Sequence, residues 1–414
     1  MHIRLPNSAD VRHKRVVMRV DFNVPLSEVG PDLIVGDDER IKAILPTLDF
    51  LEQHQAQVIL LAHLGRPEKD PDPKLSLQPV VSYFNEVLKR PMVLVSDWQS
   101  QSGRQAIDDA LHQEQLVLLE NLRFHPEEEK NDSRFAQQLA SLGQVYINDA
   151  FSVSHRAHAS VAAITDLLPS FGGLSLDEEV QALSSVADHP QRPLVAIIGG
   201  AKISDKAEAV ANLAHLADHI LIGGGVANLF LKAEGLEIHK SYMQDAPADL
   251  KKKGINYLHV AHDLLDDDKR GKILYPLDVV AAASPDSTTT EIIELTPDLK
   301  DTPNDKNLMY LDIGPKTIHL YQEIMKDAQT IFWNGPLGVF EKPTFAKGSR
   351  AIAQAMADSS AHTIVGGGDT VAAIEQFKLG DDFSYVSHAG GASLDFLAGK
   401  KLPGLIPLAI LKHE

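Results

Sequence analysis

LVAIIGGAKISDKAEAVANLAHLADHILIGGG, residues Leu194 to Gly225, decides the fold. The run Leu194–Ile198 reads as a buried strand that Gly199 and Gly200 end abruptly. Ile203, Ala207, Val210, Ala214 and Ala217 then recur at helical spacing, which predicts an amphipathic helix packed on a sheet. A second apolar run, His219–Ile222, closes on another set of glycines. Strand, glycine turn, helix and strand in that order are the signature of βα units and of a mainly parallel sheet.

The same event repeats outward in both directions, with different endings. Toward the C-terminus the runs LMYL (308–311), TIFW (330–333) and TIV (363–365) lead into DIGP, NGPLG and GGGDT. Toward the N-terminus VVMRV (16–20), VILLA (58–62), LVLL (116–119) and VYI (145–147) lead into Asp21, His63 with Arg66, Arg123, and the Asn148–Arg156 segment. Phe135, Leu139 and Leu142 mark another amphipathic helix in that half. The reading is α/β: two Rossmann-like lobes, each a mainly parallel sheet flanked by helices, joined by a hinge helix. The break falls in LLPSFGGLSLDEEVQALSSVADHPQRP, where Pro169, Gly172 and Gly173 open a helix and Pro190 and Pro193 close it. Expected boundaries are 1–170, a hinge over 171–192, 193–392, and a final segment 393–414. HLGRPEKDPDPKLS (63–76) and ASPDSTTTEIIELTPDLKDTPNDKN (283–307) read as surface loops.

Composition narrows the function class. A chain of 414 residues exceeds the usual size of one core, so two domains are expected. The formal charge of −18 argues against generic attraction to nucleic acid or an anionic membrane. It leaves small anions open, because a local group of arginines acts within a Debye length of roughly 8 Å. With no cysteine, disulfides, thiolate catalysis and Cys-ligated metals are excluded. The start, MHIRLPNSADVRHKRV, has no apolar core of the secretory kind, and no stretch offers about 18 uninterrupted apolar residues, so a cytoplasmic address is expected.

Ligands of open parallel sheets bind beyond the carboxyl ends of the strands. The two kinds of ending therefore predict one site built from arginines and another from backbone amides, serving one reaction between two phosphorylated partners. Arg40, Arg66, Arg123 and Arg156 carry planar forks that hold phosphate or carboxylate oxygens in pairs and keep their charge at neutral pH. Each alone reads more readily as a surface or interdomain salt-bridge residue; the placement of four of the five, counting His63, at or near strand ends favours the site. His63 gains a functional reading from Gly65 and Arg66 beside it. Asp21 and Asn23 are candidates to bond a substrate hydroxyl, or to hold a turn with their own side chains before Pro25. Gly199 and Gly200 allow backbone N–H groups close to an oxyanion, with Lys202 and Lys206 as point charges. Gly367, Gly368, Asp369 and Thr370 repeat the device at a helix start. Asp369 is a candidate ligand of a nucleotide-bound Mg²⁺, or simply an N-cap. No Walker A pattern and no protein-kinase signature occurs.

These motifs resemble the phosphoglycerate kinase family nearly end to end: RVDFNVPL, DDERI, HLGRP, LLENLRFHPEE, NDAFSVSHRAH, IGGAKISDK, LDIGPKT, FWNGPLGVFE, GGGDT and GGASLDFLAGKKLPG, in that order. The resemblance implies a monomeric glycolytic enzyme that transfers a phosphoryl group reversibly between 1,3-bisphosphoglycerate and MgADP, giving 3-phosphoglycerate and MgATP. It further implies that Asp21, Asn23, Arg40, His63, Arg66, Arg123 and Arg156 bind the glycerate partner, with Arg40 nearest the transferring group. Lys202 and Lys206 would contact the nucleotide phosphates and the group in flight. Glu341 would bind the ribose, and Gly367, Gly368, Asp369 and Thr370 the metal–nucleotide end. It also implies that the C-terminal segment returns to the first lobe, and that the lobes close about the hinge during catalysis.

The chain departs from the family pattern in places. His388 and Ala389 replace a threonine and a glycine in the tail motif, and Ser152, Val153 and Ser154 replace Gly-Thr-Ala. Tyr310 stands where some members place a small residue beside the adenosine pocket. A non-catalytic nucleotide-binding protein on the same fold is the alternative from another class; loss of Lys202, Lys206 or Asp369 would be its sign, and all three are present. A dinucleotide-dependent dehydrogenase fares worse, since no GxGxxG opens either half.

Overall fold

The computed structural model describes residues 1–67, 72–188, 190–204, 206–244, 256–268, 270–295 and 307–410. They group into two compact units, one from Met1 to Gln181 with the segment from Lys401, the other from Ala182 to Lys400.

The first unit is built on a six-stranded parallel sheet. Its spatial order is Met92–Val95 (β5), Leu116–Leu119 (β6), Gln57–Leu61 (β4), Arg15–Val20 (β1), Val145–Asp149 (β7) and Ser170–Gly172 (β8). Alternate residues of β1 enter opposite cores. Val16, Met18 and Val20 pack with Leu60, Phe84 and Ile147, whereas Val17 packs with Ile59, Tyr146 and Trp98. Coverage of both faces explains why the strands read as continuous apolar runs without alternation. A hairpin of Leu26–Val29 (β2) and Asp32–Val35 (β3) stands apart from the sheet. The helix carrying Phe135 and Leu139 spans Ser133–Ala140 and is started by Asp132, whose Oδ1 accepts from the N–H groups of Arg134 and Phe135 at 2.9 Å.

The second unit has its own six-stranded parallel sheet, in the order Ile273–Leu274 (β11), His219–Ile222 (β10), Leu194–Ile198 (β9), Thr330–Asn334 (β15), His362–Gly366 (β16) and Tyr385–Ser387 (β17). Val195, Ile197, Ile331, Trp333 and Val365 share one core beneath it. The helix expected after Gly199–Gly200 runs Ala207–Leu216, with Ala209, Val210 and Leu213 buried.

The structure departs from the sequence reading in two strands. LMYL does not join the main sheet. It lies in Met309–Ile313 (β14), antiparallel to Asp278–Ala282 (β12), which pairs on its other edge with Glu291–Glu294 (β13). A short apolar run does not encode which sheet it enters, because parallel and antiparallel partners ask for the same residues. The polar stretch read as a loop thus contains β13, where only Ile293 is buried; its remainder over 296–306 lies outside the described residues. Residues 68–71 of the other expected loop also lie outside them.

The helix Leu174–Ala187 begins in the first unit and ends in the second. Its start is held by Asp149 at the end of β7, whose Oδ1 accepts from Leu176 N–H at 2.9 Å. In the C-terminal part, Gly404 N–H donates to Ser154 O at 2.9 Å and Ile3 bridges Ala409, both within the first unit. Residues 393–400, expected to return with that segment, group with the second unit instead. There the Asn212 side chain donates to Leu397 O, and Lys400 pairs with Glu208 and Asp395. Among the described residues no helix is long and apolar enough to cross a membrane.

Candidate functional site

In each sheet the chain winds outward in opposite directions from central strands. In the first, β1 is flanked by β4 and by β7; in the second, β9 is flanked by β10 and by β15. Loops at the carboxyl ends of such neighbours diverge and leave a crevice. The predicted residues of each unit follow strands of its sheet, except Arg40, which lies in the helix Glu39–Ala43 after the hairpin.

In the first unit Asp21 follows β1 and is buried. Its Oδ1 accepts from Asn23 N–H at 3.0 Å, while Oδ2 accepts from Arg40 Nη1 and Ser152 Oγ, each at 2.5 Å. Asn23 Oδ1 accepts from Gly65 N–H at 2.9 Å, and Gly65 O accepts from Arg123 Nη1 at 2.6 Å. The side-chain turn and the site are therefore one network, joining the ends of β1, β4 and β6. The ion pairs weighed against a site are also present. Arg40 pairs with Asp21, and Arg123 Nε lies 3.1 Å from Glu129 Oε1. They orient the two guanidinium groups, and Arg123 Nη2 is buried and has no hydrogen-bond partner among the described residues.

The electrostatics of this crevice are cationic. His63 is buried and held well below the usual imidazole range, by burial first and then by Arg19, Arg123, Arg156 and His158. The same causes, with His155 added to the arginines, push His158 down to about 4. Arg123 is pushed down to about 10 by burial and by Arg156, with Glu129 opposing and Arg19 and Arg66 adding to the repulsion. Arg66, though exposed, thus contributes to the same positive field. Arg156 donates from Nε to His155 Nε2 at 3.2 Å. A bound anion would offset the mutual repulsion of these cations.

In the second unit the ends of β9, β15 and β16 interlock. Gly199 N–H donates to Asn334 O at 2.9 Å and Gly200 N–H to Pro336 O at 2.6 Å. A Cβ on Gly335, which has a φ of +94°, would overlap Gly199 O. Thr370, fully buried, accepts at Oγ1 from Gly335 N–H at 2.6 Å and ties this pair to the third loop. Gly367 has a φ of +93°, a conformation that favours glycine, and opens the helix Gly368–Phe377. Asp369 lies exposed in the first turn of that helix, which has Gly367 at its N-cap and no side-chain cap bond. The N-cap reading of Asp369 is thereby set aside. Lys206 Nζ lies over Gly200, 2.8 Å from where a Cβ would be, and Lys202 is exposed in the same turn. Glu341 is exposed in the loop after β15.

Sequence reasoning missed Arg19, Ser152 and Asn334. Arg19 reads as one charged residue inside a strand, and Ser152 sits where the family pattern carries glycine. Asn334 Nδ2 is buried without a hydrogen-bond partner among the described residues and faces Gly367. Its signal was the NGP motif itself, quoted for its glycine and not for its amide. Tyr310 is buried; its hydroxyl donates to Glu237 O at 2.9 Å, and its ring meets His239 edge-on. With Gly224, Asn228, Asp312 and Leu337 it lines a cavity of about 10 Å³, room for roughly one water. Ala389 is buried, and Gly390 keeps the positive φ of +59° that the turn requires.

Among the described residues no group of three or more His, Asp or Glu side chains is placed to hold a metal. One exposed carboxylate, Asp369, beside glycine loops instead suits Mg²⁺ that arrives on phosphates and keeps its waters.

The phosphoglycerate kinase family profile matches residues 7–400. A phosphoglycerate kinase of Herpetosiphon aurantiacus is 45% identical over 400 residues, covering 95% of this chain and 96% of that protein. One from Pelotomaculum thermopropionicum is 41% identical over 400 residues, covering 96% of each. The structure of phosphoglycerate kinase from Coxiella burnetii superposes with a TM-score of 0.80 at 38% identity, and that from Pyrococcus horikoshii with 0.78 at 30%, each covering 96% of both chains.

Proposed function

Because the chain belongs to the phosphoglycerate kinase family and transfers a phosphoryl group reversibly between 1,3-bisphosphoglycerate and MgADP in glycolysis, we propose that its two units divide the substrates. The cationic crevice of the first unit binds the glycerate partner through Asp21, Asn23, Arg40, His63, Arg66, Arg123 and Arg156. The glycine-lined crevice of the second binds the nucleotide through Lys202, Lys206, Glu341, Gly367, Gly368, Asp369 and Thr370. A cytoplasmic location fits a glycolytic enzyme.

The observation that carries this division is the contrast between the crevices. One holds mutually repelling cations with Arg123 Nη2 unpartnered among the described residues; the other holds glycines packed too closely for side chains, with Asn334 Nδ2 likewise unpartnered among them. A doubly charged phosphate and a carboxylate suit the first, and a chain of phosphates against backbone N–H groups suits the second.

The reaction needs no general base on the protein. The oxygen attacked or released is a carboxylate, ionised at neutral pH, so no proton must leave it. What remains is to align the groups and cancel charge on the equatorial oxygens in flight. Arg40 is fixed for that task by the Asp21 carboxylate, itself held by Ser152 and Asn23 N–H. Lys202 and Lys206 supply further positive charge. Asp369 would hold the Mg²⁺ of the nucleotide, which would supply further charge neutralisation.

Steady-state kinetics of ATP-dependent 3-phosphoglycerate phosphorylation test the division. Arg123→Lys loses the fork and raises KM for 3-phosphoglycerate about tenfold, leaving KM for ATP within about twofold; Asp369→Asn does the reverse. If both variants raised the same KM, the division would be wrong.

A further inference from the structure

Arg19 is buried on β1, 1% exposed, between Leu61 of β4 and Asn148 of β7. Each of its three nitrogens is engaged. Nε donates to Ser160 Oγ at 3.0 Å, Nη1 to Leu61 O at 3.3 Å and to Val20 O, and Nη2 lies 3.0 Å from His63 Nδ1. Ser160 in turn donates from Oγ to Glu128 Oε1 at 2.5 Å and from its N–H to Oε2 at 2.9 Å. The guanidinium is thus locked from behind by a buried carboxylate one residue removed.

A guanidinium can only donate, so His63 Nδ1 can only accept. The ring's proton must then reside on Nε2. The charged and titratable groups acting on His63 come from every neighbouring loop: Arg19 on β1, Arg123 after β6, Arg156 and His158 after β7. Each of these disfavours a second proton on the ring.

We propose that Arg19 is a positioning residue that fixes His63 as the neutral Nε2–H tautomer, so that the imidazole meets the substrate anion as a hydrogen-bond donor of constant protonation state. The proposal rests on the reading of His63 as a glycerate contact. It explains why a fully buried arginine stands in a strand that is otherwise apolar beyond its first residue: a hydrophobic residue there would pack as well but would leave the tautomer and charge of His63 unset. It also makes glycerate binding insensitive to His63 titration as the medium acidifies.

The test is nitrogen-15 NMR of the full chain labelled at histidine, with His63 assigned by the signals lost in His63→Gln. The expected spectrum has Nδ1 unprotonated and Nε2 protonated from pH about 8 to about 5, without the imidazolium step of a free histidine near about 6.5. In Arg19→Met the ring takes up a second proton within that range, and KM for 3-phosphoglycerate becomes pH-dependent while KM for ATP does not. Arg19→Lys, which keeps a donor, restores the wild-type spectrum. A wild-type proton on Nδ1, an imidazolium forming near 6.5, or a folded Arg19→Met with an unchanged His63 spectrum would overturn the proposal. If Arg19→Met fails to fold, the wild-type spectrum alone decides. If His63→Gln leaves KM for 3-phosphoglycerate unchanged, the substrate reading of His63 fails, a result distinct from the tautomer.

Discussion

Arg40 and Arg123 are both arginines beside carboxylates, yet their surroundings give them different work. Arg123 is buried, with its fork backed by Gly65 O and Glu129, which suits it to hold an anion in place. Arg40 is half-buried, and its Nη1 pairs with Asp21 Oδ2. A half-buried guanidinium oriented by a carboxylate is suited to meet a group whose charge changes during reaction. Charge-stabilising arginines in phosphoryl transfer contribute 10³-fold or more to turnover. Arg40→Ala should therefore lower kcat by roughly 10³-fold, with a much smaller change in KM for either substrate. The coupled assay with a magnesium-free control checks it; a loss of only a few-fold in a folded variant would remove Arg40 from the transfer step. Ser152 adds a smaller effect of the same kind, because its hydroxyl holds the other side of the Asp21 oxygen that Arg40 uses.

At the scale of elements, the nucleotide crevice depends on how three neighbouring strands end. Register places Ile198, Asn334 and Gly366 side by side across β9, β15 and β16, so their loops start level and must share space. Glycine at 335 answers two demands at once, a positive φ and a backbone carbonyl, Gly199 O, where a Cβ would lie. Gly235, just past the helix Gly224–Ala233, answers only the first: its φ is +81° and nothing lies within 4 Å of a Cβ there. Left-handed backbone alone costs about 1 kcal/mol for an alanine, whereas strain plus overlap against a fixed backbone costs about 2–4 kcal/mol. Gly335→Ala should therefore lower urea stability by at least about twice as much as Gly235→Ala, and should raise KM for ATP as well. Equal losses in the two variants would show that the loops at 199 and 335 yield to each other easily.

For the whole molecule, what the sequence disclosed was set by periodicity and by glycine. The βα repeats were legible because both sheets are covered on both faces, so Leu194–Ile198 and Thr330–Ile331–Phe332–Trp333 stand out as apolar runs bounded by turns. Sheet membership was not: Met309–Ile313 looks like its neighbours and pairs elsewhere, and Ile292–Ile293 is too brief among threonines and glutamates to announce a strand. Candidate residues at strand ends stand out because apolar runs stop at them, whereas Arg19 lies inside such a run and its contact with His63 joins residues 44 apart in sequence. The two units have separate sheets and cores, and each carries one candidate crevice. A ligand that binds one folded unit stabilises what it binds, by about 2.7 kcal/mol at a hundred times its dissociation constant. Hydrogen exchange should accordingly slow in separate places: with 3-phosphoglycerate alone, in peptides covering residues 19–23, 63–66 and 121–123; with MgADP alone, in those covering 199–204, 334–341 and 366–371. Local opening reports such stabilisation segment by segment, so the two footprints can be read independently. Protection of the 199–204 and 334–341 peptides by 3-phosphoglycerate, with none around His63 and Arg123, would reverse the assignment of substrates to units even if the enzyme's activity were intact.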